Sequence, residues 1–148
     1  PAYVYGPGRD VGMTSTPTKA MLAAASGRPY HISFGGTGFF QHADDVAKSL
    51  IQASRAKVDG APTFNLGGTR VSMTDVVDAI TAAAPESAGT ITSESNQLPF
   101  PDEYDGKPLD AAIGAVGWRS FADGTRQTIE DFRIAIAEGR LDVDRAIA

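Results

Sequence analysis

The first nine residues, PAYVYGPGR (Pro1–Arg9), decide the fold class of this chain. The run YVY at 3–5 is aromatic and β-branched, which is typical of a strand, and GPG at 6–8 ends it in a turn. Because a strand must bond its backbone to a neighbour, this stretch predicts a sheet whose other strands lie further along the chain.

The composition is that of one globular domain. The chain has 148 residues, of which 42% are apolar and 21% charged, so it can bury a core of its own. A net charge of −5, with Lys and Arg scattered, gives no basic surface, and we exclude nucleic acid and membrane as partners. There is no Cys, hence neither a disulfide nor a thiolate metal site. No apolar run approaches the roughly 20 residues of a membrane span and no signal peptide is recognisable, so a cytoplasmic location is expected.

Strand and helix signals alternate along the chain. A cap residue with Pro17 begins one helix and Gly27 ends it, while Ser72 and Asp75 begin another that Pro85 ends. Periodicity predicts helices over 18–26, 43–51, 72–84 and 124–138 and short strands over 31–34, 63–66 and 90–92. This alternation predicts an α/β fold with a parallel sheet.

Several stretches resemble motifs of the NAD(P)-dependent epimerases and dehydratases, the extended short-chain dehydrogenase/reductase family. PAYVYGPG at 1–8 resembles the family's R-P-x-N-V-Y-G-P-G strand and turn. QHADDVA at 41–47 resembles its V-H-V-D-D-V-A helix start, and FNLGG at 64–68 its F-N-[VL]-G-G segment. VSM at 71–73, GWR at 117–119 and Gly124 with QTI at 127–129 follow in the family's order, so the motifs cover nearly the whole chain.

The resemblance implies that residues 1–148 form a single partial domain, the C-terminal part of a Rossmann-like enzyme that lacks the N-terminal dinucleotide-binding strands. NAD(P) is implied for the full-length family, with Pro1 and Ala2 in its binding site. The sequence has no G-x-x-G-x-x-G turn between a strand and a helix, and no Tyr has Lys four residues later, so the family's Y-x-x-x-K pair is absent. We therefore assign no catalytic residue and expect neither cofactor binding nor redox activity from this chain alone.

The positions that bind substrate in the family are largely aromatic here. Tyr3 stands where nucleotide-sugar members have Asn, Phe39 or Gly38 stands where they have Arg, and LPFPD at 98–102 replaces a late R-x-G-D. A diphosphate needs cations or oriented amides, so we expect a smaller, uncharged or partly apolar substrate with a carbonyl or hydroxyl group. The resemblance gives these candidate substrate-binding residues: Tyr3, Arg9, Phe39, Phe40 and Phe100.

Each candidate also has a purely structural interpretation. Tyr3 fits a packed aromatic residue on a strand, and Arg9 fits a solvated residue after a turn. The Phe39-Phe40 pair fits a hydrophobic core, although pocket walls consist of the same residue types.

Two acidic clusters are weaker candidates. His42 beside DD at 44–45 has no spacing typical of metal ligands, and the helix dipole explains two Asp in a first helical turn, so we expect no metal. The carboxylates in DEYD at 102–105 could serve hydrolysis as a pair, but a polar loop favours solvated charges.

Three functions follow from these patterns. The chain is the substrate-binding portion of an NAD(P)-dependent epimerase, dehydratase or reductase, or a stand-alone small-molecule binding module, or a self-associating remnant without redox activity. Strands beginning at Ala2 and Thr63 would expose sheet edges and apolar helix faces if no further strands cover them. We therefore expect a homo-oligomer, most simply a two-fold dimer, or a missing N-terminal half as partner.

Overall fold

The computed structural model describes residues 2–101 and 103–148, which form a mixed α/β structure. In chain order its elements are β1 (Tyr3–Tyr5), α1 (Thr16–Ala25), β2 (Tyr30–Ile32), β3 (Thr37–His42), α2 (Ala43–Arg55), β4 (Thr69–Ser72), α3 (Met73–Ala83), β5 (Ile91–Ser93), α4 (Lys107–Ile113), α5 (Phe121–Ala137) and α6 (Val143–Ile147). Short 3-10 turns cover Met13–Ser15 and Pro85–Ser87. None of the helices in the described ranges is long and apolar enough to cross a membrane.

The strand at the start of the chain has its neighbour in β3. The sheet is ordered β1–β3–β4, and β1 pairs in parallel with β3, with Tyr3 opposite Phe40 and Tyr5 opposite His42. β4 pairs with the other edge of β3 in antiparallel orientation. β2 and β5 form a separate parallel pair.

The main sheet is mixed, whereas the sequence analysis predicted a parallel one. The predicted strand at 63–66 is wrong: residues 61–68 form no strand, and most of them are exposed or half-buried. The end of this irregular stretch lies beside Gln41, whose side chain donates to the Leu66 and Gly67 carbonyls, and β4 starts there opposite Phe40 and runs antiparallel to β3. The other two predicted strands are present, shifted by one or two residues, as β2 and β5.

The core lies between one face of the sheet and helices α1, α3 and α5. β1 and β3 contribute Tyr3, Tyr5 and Phe40, each at most 4% exposed. α1 is buried on most of its surface, because Ala and Met fill the narrow space between β2 and α5. The core thus draws on residues from both ends of the chain, including Ile129 and Phe132 of α5.

The helix starts follow the local capping signals. The Ser72 hydroxyl accepts a hydrogen bond from the Asp75 amide, and the Asp75 carboxylate accepts one from the Ser72 amide, which confirms the predicted capping box of α3. α1 carries Pro17 in its first turn, as predicted. α5 begins three residues earlier than predicted, at Phe121, because Ser120 caps the Asp123 amide.

Candidate substrate-binding site

An aromatic cluster surrounds Tyr3 at the amino end of β1. The Tyr3 ring stacks on Phe34 with a centroid distance of 5.5 Å and on Phe40 at 5.2 Å. Phe100 approaches the Tyr3 ring edge-on at 6.0 Å. Tyr3 and Phe40 are buried, whereas 42% of Phe100 is exposed. Three of the five candidate residues therefore lie together, and Phe100 is the member of this group with a surface open to a ligand.

Phe39 lies on the opposite face of β3, because successive side chains of a strand alternate between the two faces. It is half-buried and makes an edge-on contact with Tyr104, with a centroid distance of 5.7 Å. Phe100 thus packs against Tyr3, whereas Tyr104 packs against Phe39. The structure does not bring Phe39 into contact with the rings around Tyr3.

The Tyr3 ring is held in place by a close approach to Gly38. A Cβ atom at Gly38 would lie 1.8 Å from the Tyr3 ring, so only glycine leaves room for it there. Burial, and after it the nearby Tyr104 hydroxyl, raises the pKa of Tyr3 above its ordinary value. Tyr3 is therefore a neutral phenol at physiological pH, suited to hydrogen bonding and not to proton abstraction.

Arg9 has its guanidinium engaged within its own loop. One terminal nitrogen donates a hydrogen bond to the carbonyl of Val11, and the other donates to the Thr14 hydroxyl at 2.9 Å. Arg9 also lines a small cavity of about 80 Å³, together with residues of α1 and the C-terminal segment. It is not part of the aromatic cluster around Tyr3.

Gln41 fixes the backbone at Ala2, one of the two predicted cofactor contacts. The Ala2 amide donates to Gln41 Oε1 at 2.9 Å, and Gln41 Nε2 donates to the carbonyls of Leu66 and Gly67 at 3.2 and 2.5 Å. The buried amide therefore links β1 to the FNLGG loop. Pro1, the other predicted cofactor contact, lies outside the described residues, as does Asp102 of the paired-carboxylate candidate.

A cavity of about 500 Å³ opens where β1 and β3 end. Its lining includes Pro7 and Gly8 of the first turn, His42, Asp44 and Asp131. Ligands of parallel sheets commonly bind beyond the carboxyl ends of the strands, so this is a second place where a small polar molecule fits. Sequence analysis missed it, because α5 supplies one wall from a distant part of the chain.

Arg119 joins the start of α2 to the start of α5. Its Nε and backbone amide donate to Asp45 Oδ2 at 3.0 and 3.1 Å, and Nη2 donates to Asp45 Oδ1 at 2.8 Å. Nη1 donates to Gln127 Oε1 at 2.5 Å. Burial by itself would raise the pKa of Asp45, but the hydrogen bonds from Arg119 outweigh it, and the pKa lies below its ordinary value. With these bonds made, Arg119 acts as a structural clamp.

His42 is the buried cap of α2. Its Nδ1 accepts a hydrogen bond from the Asp44 amide at 3.3 Å, and its Nε2 lies 3.4 Å from the Thr128 hydroxyl. Burial, and after it the positive charge of Arg119, lowers the pKa of His42. The described residues include no group of three or more His, Asp or Glu side chains arranged to hold a metal ion. His42 and its acidic neighbours thus serve the helix start.

Comparisons with known proteins define the class of fold. No protein-family model matches the sequence, and no curated protein matches it significantly. Among solved structures, UDP-glucose 4-epimerase from Thermotoga maritima superposes with a TM-score of 0.74 and 19% identity, over 91% of this chain and 45% of that one. A partial-consensus L-threonine 3-dehydrogenase gives a TM-score of 0.73 and 16% identity, over 93% and 47%. The Bordetella bronchiseptica enzyme WbmF, solved with NAD+, gives 0.69 and 24%, over 97% and 46%.

The chain therefore has the fold of part of the NAD-dependent epimerases and dehydrogenases, as the sequence motifs indicate. The predicted fold class, α/β with part of a Rossmann-like sheet, is confirmed by this likeness. The chain spans about half the length of the solved structures it matches.

Proposed function

We propose that this chain is the substrate-binding portion of an NAD(P)-dependent epimerase, dehydratase or reductase, acting on a small, non-nucleotide carbonyl or hydroxyl compound and without redox activity by itself. The observation that carries the proposal is the aromatic cluster of Tyr3, Phe40 and Phe100. Within this cluster, Tyr3 stands where the motifs of nucleotide-sugar enzymes have Asn, and Phe100 lies in LPFPD at 98–102, which replaces their R-x-G-D. An exposed ring beside buried rings favours a partly apolar ligand.

The hydrogen bonds of Arg9 and Arg119 support a small uncharged substrate. A diphosphate requires a guanidinium or ammonium group with free donors. The Arg9 guanidinium is bound to the carbonyl of Val11 and to Thr14, and the Arg119 guanidinium is bound to Asp45 and Gln127. Binding a nucleotide diphosphate through either arginine would break hydrogen bonds that hold the fold.

The described residues do not fit a dinucleotide diphosphate. α2 and α3 follow strands directly, but their first turns already carry Asp44 and Asp45, and Asp75, respectively. At α2 the His42 ring accepts a hydrogen bond from the Asp44 amide, and at α3 the Ser72 hydroxyl accepts one from the Asp75 amide. The acidic side chains of both first turns would in addition repel a phosphate. α1 is preceded by a long connection and has Pro17 in its first turn, which removes one amide donor. The proposal therefore places cofactor binding outside this chain.

Within such an enzyme, the chain's own residues would bind and orient the substrate. Phe100 would cover an apolar part of the substrate, and the neutral Tyr3 hydroxyl is the polar group of the cluster that could orient a carbonyl or alcohol oxygen. NAD(P), if a complete enzyme supplies it, provides the hydride chemistry. No residue of this chain is given a role in proton or hydride transfer.

Thermal-shift measurements with chosen probes test the proposal. Acetophenone and 1-phenylethanol, a ketone and its alcohol, should raise the unfolding midpoint in a saturable way, because they bind the folded state alone. UDP-glucose should leave the midpoint unchanged. Phe100→Ala should abolish the shift, while Val58→Ala, which truncates another exposed apolar side chain (39% exposed), should keep it. A saturable shift with UDP-glucose, or a shift that survives Phe100→Ala, would contradict the proposal.

The stand-alone binding module is the second candidate, and one observation favours it. Nineteen buried apolar residues from β1 to α5 make up a single core, so the chain has the means to fold by itself. Probe binding without any further chain fits both candidates. Adding a dinucleotide-binding half separates them, because only the enzyme portion would then gain dehydrogenase activity.

A further inference from the structure

Helix α2 has large apolar side chains exposed on one side and two buried polar side chains on the opposite side. Leu50 and Ile51 are 60% and 50% exposed, whereas Asp45 and Ser49 are 1% and 2% exposed. At 100° per residue, Asp45 and Ser49 lie on one side of the helix, and Ala47, Leu50 and Ile51 lie on the opposite side. This arrangement is the reverse of an ordinary surface helix.

The buried polar side chains on the inward face of α2 have hydrogen-bond partners within the protein. Asp45 is held by Arg119, and the Ser49 hydroxyl donates to the Val46 carbonyl at 2.7 Å. The apolar side of the helix is exposed and could be covered by another surface. We call it the outward face of α2, consisting of Ala47, Leu50, Ile51 and Ser54.

Charges beside the outward face indicate which surface covers it. Asp44 in the first turn and Arg55 in the last turn lie on the same flank of the helix, since they are eleven positions, or about three turns, apart. When two identical helices pair antiparallel about a two-fold axis, the same flanks meet, as in antiparallel coiled coils. Asp44 of one copy then lies opposite Arg55 of the other, twice per dimer. A second copy of this chain is therefore complementary in charge as well as in hydrophobicity.

We propose that the outward face of α2 is a self-association surface at which two copies pair antiparallel, with Leu50 near the two-fold axis. The edge of β1 is the less suitable surface, because β1 is three residues long and both Tyr3 and Tyr5 are buried. The inference does not rest on the proposed function, since the outward face of α2 includes neither Phe100 nor any of the rings around Tyr3.

Sedimentation velocity of the 148-residue chain is the first test. At about 10 µM, the chain should sediment as a species of twice the 15.5 kDa monomer mass. Leu50→Glu combined with Ile51→Glu should raise the dissociation constant at least about hundredfold, because each copy would bury two unpaired charges. Met13→Glu, at an apolar residue 65% exposed in another part of the fold, should leave the dimer intact. Circular dichroism checks that each variant is folded.

A charge swap tests the antiparallel geometry. In the Arg55→Asp homodimer, two Asp side chains lie opposite each other. In the Asp44→Lys homodimer, a Lys side chain lies opposite an Arg side chain. Each variant alone should therefore dimerise less tightly than the wild type. An equimolar mixture should form the heterodimer, in which every opposed pair carries opposite charges.

Three results would overturn the inference. A 15.5 kDa species at every concentration would mean that the face serves a different partner, such as an α/β half on another chain. A dimer that survives the two Glu substitutions would place the interface elsewhere. A mixture without preference for the heterodimer would exclude antiparallel pairing through Asp44 and Arg55.

Discussion

The bond between Asp45 and Arg119 joins the starts of α2 and α5 through a buried carboxylate. Asp45 is buried with a side chain 2% exposed, and the Arg119 side chain is 18% exposed. Asp45→Ala should lower the free energy of unfolding by about 3 kcal/mol, because it leaves a mostly buried guanidinium without its carboxylate. Urea unfolding measures the loss.

Asp44→Ala is the matched control for that substitution. Asp44 is the neighbouring residue of the same helix, its side chain is 56% exposed, and its contact with Arg119 is 3.4 Å long. Its removal should cost less than about 1 kcal/mol. Equal losses for the two variants would mean that the effect comes from the helix start and not from the buried pair.

His42 should make the stability of the protein depend on pH. Burial lowers its pKa in the folded state below the ordinary value of 6.5, so the unfolded chain binds a proton that the folded chain does not. Stability is therefore highest above pH 6.5 and falls as the pH drops, by at most about 1.4 kcal/mol per pH unit from this one group.

His42→Asn should flatten that dependence, since Asn can cap the helix but does not titrate. Urea unfolding between about pH 5.5 and 7.5 isolates the effect, because Asp and Glu titrate mainly below this window. His31→Asn, at an exposed side chain, is the control and should retain the slope. An unchanged slope in His42→Asn would show that another group is responsible.

At the scale of residues, the sequence allowed part of the site to be predicted. Tyr3, Phe40 and Phe100 come together as the resemblance implies, although whether they bind a substrate stays a prediction. Phe39 lies apart from them, because successive side chains of a strand alternate between the two faces of the sheet. The bond between Asp45 and Arg119 spans 74 positions of the chain, and no local pattern in the sequence reports a contact of that length.

At the scale of elements, β1 and α5 are in contact at Gly124. A Cβ atom at this position would lie 2.0 Å from the Tyr5 hydroxyl oxygen, and Tyr5 is 2% exposed and cannot move aside. Gly124→Ala should therefore destabilise the protein, although Ala ordinarily stabilises a helix by about 1 kcal/mol relative to Gly. Thermal unfolding of Gly124→Ala shows whether the substitution lowers or raises the stability.

The double variant Gly124→Ala with Tyr5→Phe should recover part of the loss, because it removes the nearest clashing atom. The next atom of the ring would still lie 2.9 Å from the new Cβ, so recovery should be incomplete. A single variant more stable than the wild type would mean that β1 and α5 are not packed as closely as the structure has them.

Elements with local signals were predictable, and elements defined by distant pairing were not. The capping box of α3 and the Pro17 start of α1 depend on residues within one turn, and both are present. β3 was missed, because Gly38 and the polar pair Gln41-His42 interrupt the apolar pattern of a strand. It forms because β1 and β4 bond to it on both sides. The stretch 63–66 has the composition of a strand, but it forms no strand pairing in the described structure.

At the scale of the whole molecule, the described residues form one hydrophobic core that includes side chains from β1 to α5. The likeness to NAD-dependent epimerases and dehydrogenases covers nearly all of this chain and about half of theirs. A likeness in fold fixes neither substrate nor chemistry, which reside in particular residues. In the proposed function, the residues that bind the substrate are the aromatic side chains at one end of β1.

The central claim is that this chain carries a substrate-binding surface but no dinucleotide site. Titrating NADH and NADPH with the 148-residue chain, and following nicotinamide fluorescence, tests it most directly. We expect no saturable change, because His42 and Ser72 already cap the first turns of α2 and α3, and the Asp side chains in those turns would repel a diphosphate. Saturable binding of either nucleotide with a dissociation constant of about 10 µM or below would contradict the account.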